Sequence, residues 1–128
     1  MKITPTDPPR TFSVGYKKEI QLKDCGHITL EPDEQVTFLT ESGGEYDVVR
    51  KSWGFYATPS MNQRLKKFGL RATLIKSSDG KFYIFLVETG KEADFKRYVQ
   101  TENLRIIRWL DDDANLQEIE RKLDDTNA

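Results

Sequence analysis

Cysteine and histidine occur once each in these 128 residues. A single thiol, Cys25, excludes an intrachain disulfide, and Cys25 with His27 falls short of a typical zinc set. Long apolar runs are missing too. The longest, Phe82 to Val87, is far too short to cross a bilayer. No signal-peptide pattern opens the sequence, so the expected setting is a soluble protein of the reducing cytoplasm. Gly-x-x-x-x-Gly-Lys-[Ser/Thr], Gly-x-Gly-x-x-Gly and Gly-x-Ser-x-Gly are all absent. That removes the phosphate loop, the dinucleotide fingerprint and the nucleophile elbow as sources of function. Repeats and low-complexity tracts are also lacking.

Acidic residues are missing from one long window. Between Val48 and Ser78 there is none, while the same window holds Arg50, Lys51, Arg64, Lys66, Lys67, Arg71 and Lys76. The preceding stretch, Asp24 to Asp47, holds seven acids and no Lys or Arg, and the chain turns acidic again from Asp111. A net charge of −1 hides this sorting. Segregated charge can steer ligands and bias partners without naming a reaction. Fourteen aromatic residues argue against intrinsic disorder.

The length fits one domain that needs neither metal nor disulfide to fold. Residues 1–11, with Pro5, Pro8 and Pro9, read as an extended or mobile N-terminal arm. Residues 12–123 read as a single α+β domain, and residues 124–128 as a frayed tail. Short strands are expected at Phe12–Tyr16, Ile20–Leu22 and Ile28–Leu30. A hairpin is expected across Val36–Thr40 and Tyr46–Lys51, and another strand at Trp53–Ala57. Ser60-Met61-Asn62-Gln63 fits a capping box for a helix of about two turns ending at Gly69.

Leu70–Lys76 and Lys81–Val87, joined through Asp79-Gly80, form the clearest hairpin signal. The second of these is apolar on both faces, which predicts a central, doubly covered strand. Thr89-Gly90-Lys91-Glu92 is a second capping box, for a helix running to about Glu102 and ended by Asn103. Leu104–Leu110 fits a strand or a helical turn, and a last helix spans Leu116 to Leu123. Strands first and helices late predict a mostly antiparallel sheet or roll with a short mid-chain helix.

Four constellations bear on chemistry. The basic window mixes cations with Trp53 and Tyr56, the ingredients for an anionic ligand: guanidinium groups hold charge and aromatic faces stack. The duller reading pairs these cations with the acidic block across strands. An acidic isoelectric point argues against nucleic acid. Trp53 to Asn62 has the texture of a pocket wall, with Asn62 and Arg64 near a helix start. Cys25 and His27, two apart on a strand, share a face and could form a thiolate pair or be an inert thiol beside a surface His. Glu88, at a strand end, could act as a base or pair with Arg71. Asp111-Asp112-Asp113 reads as a solvated cap for the last helix.

His27-Ile28-Thr29-Leu30-Glu31-Pro32-Asp33-Glu34-Gln35-Val36 is similar in rhythm to the strand–turn–strand of cupin-type barrels. That resemblance implies a cupin-like roll without metal, because Val36-Thr37-Phe38-Leu39-Thr40 supplies none of the His and Glu ligands such barrels carry after the turn. The leading expectation is a non-catalytic domain binding an anionic small molecule, a phosphorylated metabolite or nucleotide-sugar, with no cofactor. Its ligand-binding residues would be Trp53, Tyr56, Asn62, Arg64, Arg71 and Glu88. The alternatives are a protein-interaction or assembly module, with a homodimer or protein partner, and a small enzyme using Cys25 with His27, or Glu88.

Overall fold

The computed structural model describes residues 1–127. In chain order the elements are β1 (Lys2–Val14), β2 (Ile20–Thr29), β3 (Gln35–Leu39), β4 (Glu45–Lys51), β5 (Gly54–Ala57), α1 (Arg64–Lys67), β6 (Leu70–Lys76), β7 (Phe82–Glu88), α2 (Glu92–Thr101), β8 (Arg105–Trp109) and α3 (Asp113–Asn127). They build three open sheets, ordered β1–β2, β3–β4–β5 and β7–β6–β8. The β1–β2, β4–β5, β6–β7 and β6–β8 pairs are antiparallel. This is the α+β class expected, with one short mid-chain helix and the longer helices late. The strand–turn–strand that resembles cupin-type barrels forms, but its two strands belong to different sheets.

Contacts divide the chain into two compact units. One comprises Met1–Thr37 and Asp47–Thr58; the other comprises Phe38–Tyr46 and the chain from Pro59 onward. In the first unit the N-terminal arm is extended and pairs with β2 from Lys2 to Pro5 and again from Arg10. Pro8 and Pro9 are accommodated because the register slips between Pro5 and Arg10, so the ladder asks for no N–H donor at either position. Gly26 sits at φ +153°, and a Cβ there would lie 2.6 Å from the Thr4 carbonyl oxygen. Only glycine permits that close approach. The β4–β5 turn puts Trp53 at its tip, and Trp53 stacks on Tyr56 with ring centroids 6.2 Å apart.

The second unit is built on β6. Thr73 and Ile75 of this strand are completely buried, and the Thr73 hydroxyl donates to the Arg108 carbonyl at 3.0 Å. Leu65, Leu70 and Ala72 form a core cluster against Tyr46 and Leu110. On the other face α2 packs through aromatic edges: Phe95 meets Phe85 and Trp109 at centroid distances of 6.1 and 6.0 Å.

Two expectations need correction. The strand placed at the centre of the sheet, β7, lies at its edge, and β6 is central. An apolar run on both faces says that neither face suits water; it does not say that neighbours flank the strand. The helix expected after Ser60 is one turn, not two, because the chain first makes a turn in which the Ser60 hydroxyl accepts from the Arg64 amide at 3.1 Å. Gly69 at φ +81° then stops it. At the C-terminus α3 runs on to Asn127, through most of the segment read as a frayed tail; Ala128 lies outside the described residues.

Candidate functional site

Strand β7 carries Phe82-Tyr83-Ile84-Phe85-Leu86-Val87-Glu88. Alternation sends Phe85 and Val87 toward α2, where Phe85 touches Phe95 and Tyr98. Phe82, Ile84, Leu86 and Glu88 take the opposite face. There Phe82 and Ile84 are 58% and 56% exposed. An open groove of about 820 Å³ follows this edge. Phe38 and Leu39 of β3 contribute one part of its lining, Ile84 to Glu88 of β7 another, and Asp94, Phe95 and Tyr98 of α2 a third. The lining is mainly apolar and aromatic.

One end of the groove is polar. Its geometry comes from the β3–β4 turn, where the Thr40 amide donates to the Gly44 carbonyl at 2.9 Å and Gly43 takes φ +102°. That turn presents the Ser42 hydroxyl, which donates to Glu88 Oε2 at 2.6 Å. Lys91 Nζ sits 2.8 Å from the same carboxylate and donates to Ser42 Oγ at 3.1 Å. The Lys91 ammonium, helped by the Ser42 and Thr40 hydroxyls, holds the Glu88 carboxyl down to about 2. The carboxylate in turn raises Lys91 above its ordinary value.

A serine beside a lysine can serve as nucleophile and base only if the amine is neutral. Here Lys91 is kept protonated and Ser42 spends its proton on Glu88, so the arrangement is a structural clamp. A carboxylate held this far below neutrality is likewise a poor general base.

Elsewhere the cations of the basic window are dispersed. Arg71 donates from Nε to Asp111 Oδ2 at 2.7 Å, comes within 3.8 Å of Glu92, and lies 4.0 Å over the Trp109 ring. Its expected partner Glu88 is instead taken by Lys91. Lys51 pairs with Asp33 at 2.5 Å. Lys76 lies over Phe82, and Arg50 over Phe55. Arg64 lies over Phe68 at 5.2 Å. Asn62 donates to Asp113 at 2.6 Å.

Trp53 and Tyr56 belong to the first unit, whereas Asn62, Arg64, Arg71 and Glu88 belong to the second. Within the second unit these four each keep separate partners. Cys25 and His27 are exposed on β2, with the thiol directed to the Lys23 carbonyl at 3.6 Å. No group of three metal-ligating side chains occurs among the described residues, and no helix there is long and apolar enough to cross a membrane.

Of the residues named from sequence, only Glu88 borders the groove. Phe38, Leu39, Ser42, Ile84, Leu86, Lys91, Phe95 and Tyr98 lie at the groove or its polar end without a sequence motif that marks them as site residues. The available signal was the doubly apolar run at 82–87, which reads equally as a buried strand. Comparison with known proteins finds no matching family model, no similar curated protein and no solved structure that matches.

Proposed function

We propose that this chain is a protein-interaction module that takes an extended segment of a partner protein along β7. The observation that supports it is an edge strand whose unpaired backbone runs beside an apolar groove. Free N–H and C=O groups on a sheet edge are spaced to pair with an incoming strand, and alternate side-chain pockets select it. The incoming segment would carry apolar side chains at alternate positions: one set against Phe38, Leu39 and Ile84, the other against Phe95 and Tyr98. Its charges would be few, because Glu88 and Lys91 are already paired with each other and Asp94 pairs with Arg97.

The test is selection of a displayed random heptapeptide library on the parent and on an Ile84→Lys, Leu86→Lys variant. Both positions are exposed, so the variant keeps its core. The expected result is enrichment of peptides alternating apolar and polar residues, at least about tenfold weaker on the variant. Binding should also protect β7 amides from hydrogen exchange. No enrichment on the parent, or equal affinity for a folded variant, overturns the reading.

One observation favours the anionic-ligand reading as second choice. Arg64, Lys66 and Lys67 are three of the four residues of α1, around the buried Leu65, and Arg64 lies over the Phe68 ring. Titrating parent and Arg64→Ala with phosphate-bearing ligands tests it; equal absence of binding in both removes it.

A further inference from the structure

Strand β2 reads Ile20-Gln21-Leu22-Lys23-Asp24-Cys25-Gly26-His27-Ile28, alternating apolar and polar except at its middle. The register sets Val14 opposite Ile20, Phe12 opposite Leu22, Arg10 opposite Asp24, and Ile3 opposite Ile28. Directly opposed residues of an antiparallel pair share a face. One face of the ribbon is therefore apolar with a single Arg10–Asp24 ion pair near its centre, and Arg10 lies over the Phe12 ring on that face. The other face carries Gln21, Lys23 and His27. The apolar face is open to solvent: Ile3 is 59% exposed, Leu22 51%, Ile28 46% and Phe12 43%. A two-stranded ribbon is marginal without something packed on its hydrophobic side.

We infer that this face stacks on the same face of a second copy of the chain. Charge selects the occupant. A purely apolar partner would bury the Arg10–Asp24 pair without compensation, which is costly. A second copy related by a two-fold axis parallel to the strands lays β1 of one copy over β2 of the other. Phe12 then meets the second copy's Leu22, Ile3 meets its Ile28, and Arg10 meets its Asp24. A two-fold axis across the strands would instead set Arg10 over Arg10.

Stacked sheets keep their strands within about 30° of each other, about 10 Å apart, so the alignment is close but not strict. A ribbon about 30 Å long and about 10 Å wide buries on the order of 600 Å² over both copies, below the usual size of a stable interface, hence a weak, concentration-dependent dimer. This contact is independent of the β7 groove.

Sedimentation over a wide concentration range tests the inference. The parent should form a dimer that dissociates on dilution, and Leu22→Lys should remain a monomer. Arg10→Asp alone gives a face with two negative charges, and Asp24→Arg alone gives one with two positive charges; each should be monomeric. Mixed in equal amounts, the two should form a heterodimer. A parent that is monomeric throughout overturns the inference. So does a parent dimer whose two charge variants fail to combine, or one abolished by Ile84→Lys and untouched by Leu22→Lys, which would place the contact on β7.

Discussion

The guanidinium of Arg71 donates to the carboxylate of Asp111 at 2.7 Å, and Asp111 is only 3% exposed. The Trp109 ring beneath the guanidinium and the Glu92 carboxylate beside it complete the enclosure. Asp111 and Glu92 raise Arg71 further above its already high ordinary value.

Removing Arg71 leaves Asp111 buried without its cation. Arg71→Ala is expected to lower stability by about 3 kcal/mol, read as a shifted urea midpoint. Arg71→Lys should recover only part of this loss, since an ammonium cannot reproduce both the planar stack on Trp109 and the fork toward the carboxylate.

Glu88 makes stability depend on acid. Its carboxyl is at about 2 when folded and ordinarily at 4.5. The unfolded chain therefore takes up a proton first as pH falls, and protonation favours unfolding. The contribution is fully present above about 4.5 and is lost as pH drops toward 2. Glu88→Gln should destabilise the protein near neutral pH, and the gap to the parent should close across that acid window in pH-dependent urea melts. A gap of constant size would contradict the clamp.

Ile75 is completely buried on β6. Ile75→Ala is expected to cost about 3 kcal/mol through lost burial and the cavity left behind, whereas Ile75→Val should cost about 1 kcal/mol. Thermal or urea unfolding distinguishes the two.

Gly26 combines φ +153° with a Cβ position that meets the Thr4 carbonyl oxygen and Pro5 Cα. Gly26→Ala should therefore cost about 2 kcal/mol through strain and backbone collision. The loss should show as faster amide exchange in β1 and β2, with the exchange of β6 unchanged.

Parts of this architecture are legible in the sequence because single residues dictate them. Asp79-Gly80 announces the β6–β7 turn, and Gly80 adopts φ +86° there. Asn103 ends α2 at φ +53°. The place of β7 is not legible, because side-chain polarity reports contact with water and not the number of neighbouring strands. Nor is the fate of Asp111-Asp112-Asp113. Read as one solvated cap, the run divides three ways: Asp111 turns inward to Arg71, Asp112 accepts from the Ala114 amide at 2.7 Å, and Asp113 accepts from Asn62. The basic window was legible as charge, but which carboxylate or ring answers each cation depends on register, which no local pattern specifies.

Phe82 to Val87 is six consecutive residues without charge, proline or glycine, set on an unprotected sheet margin. Such a segment can seed fibrillar stacking between chains. Lys81 and Glu88 bracket it as gatekeepers whose like charges repel one another when identical strands stack in register. Because Glu88 stays ionised down to about pH 2 only while Lys91 and Ser42 clamp it, that guard outlasts most carboxylates on acidification for as long as the fold holds.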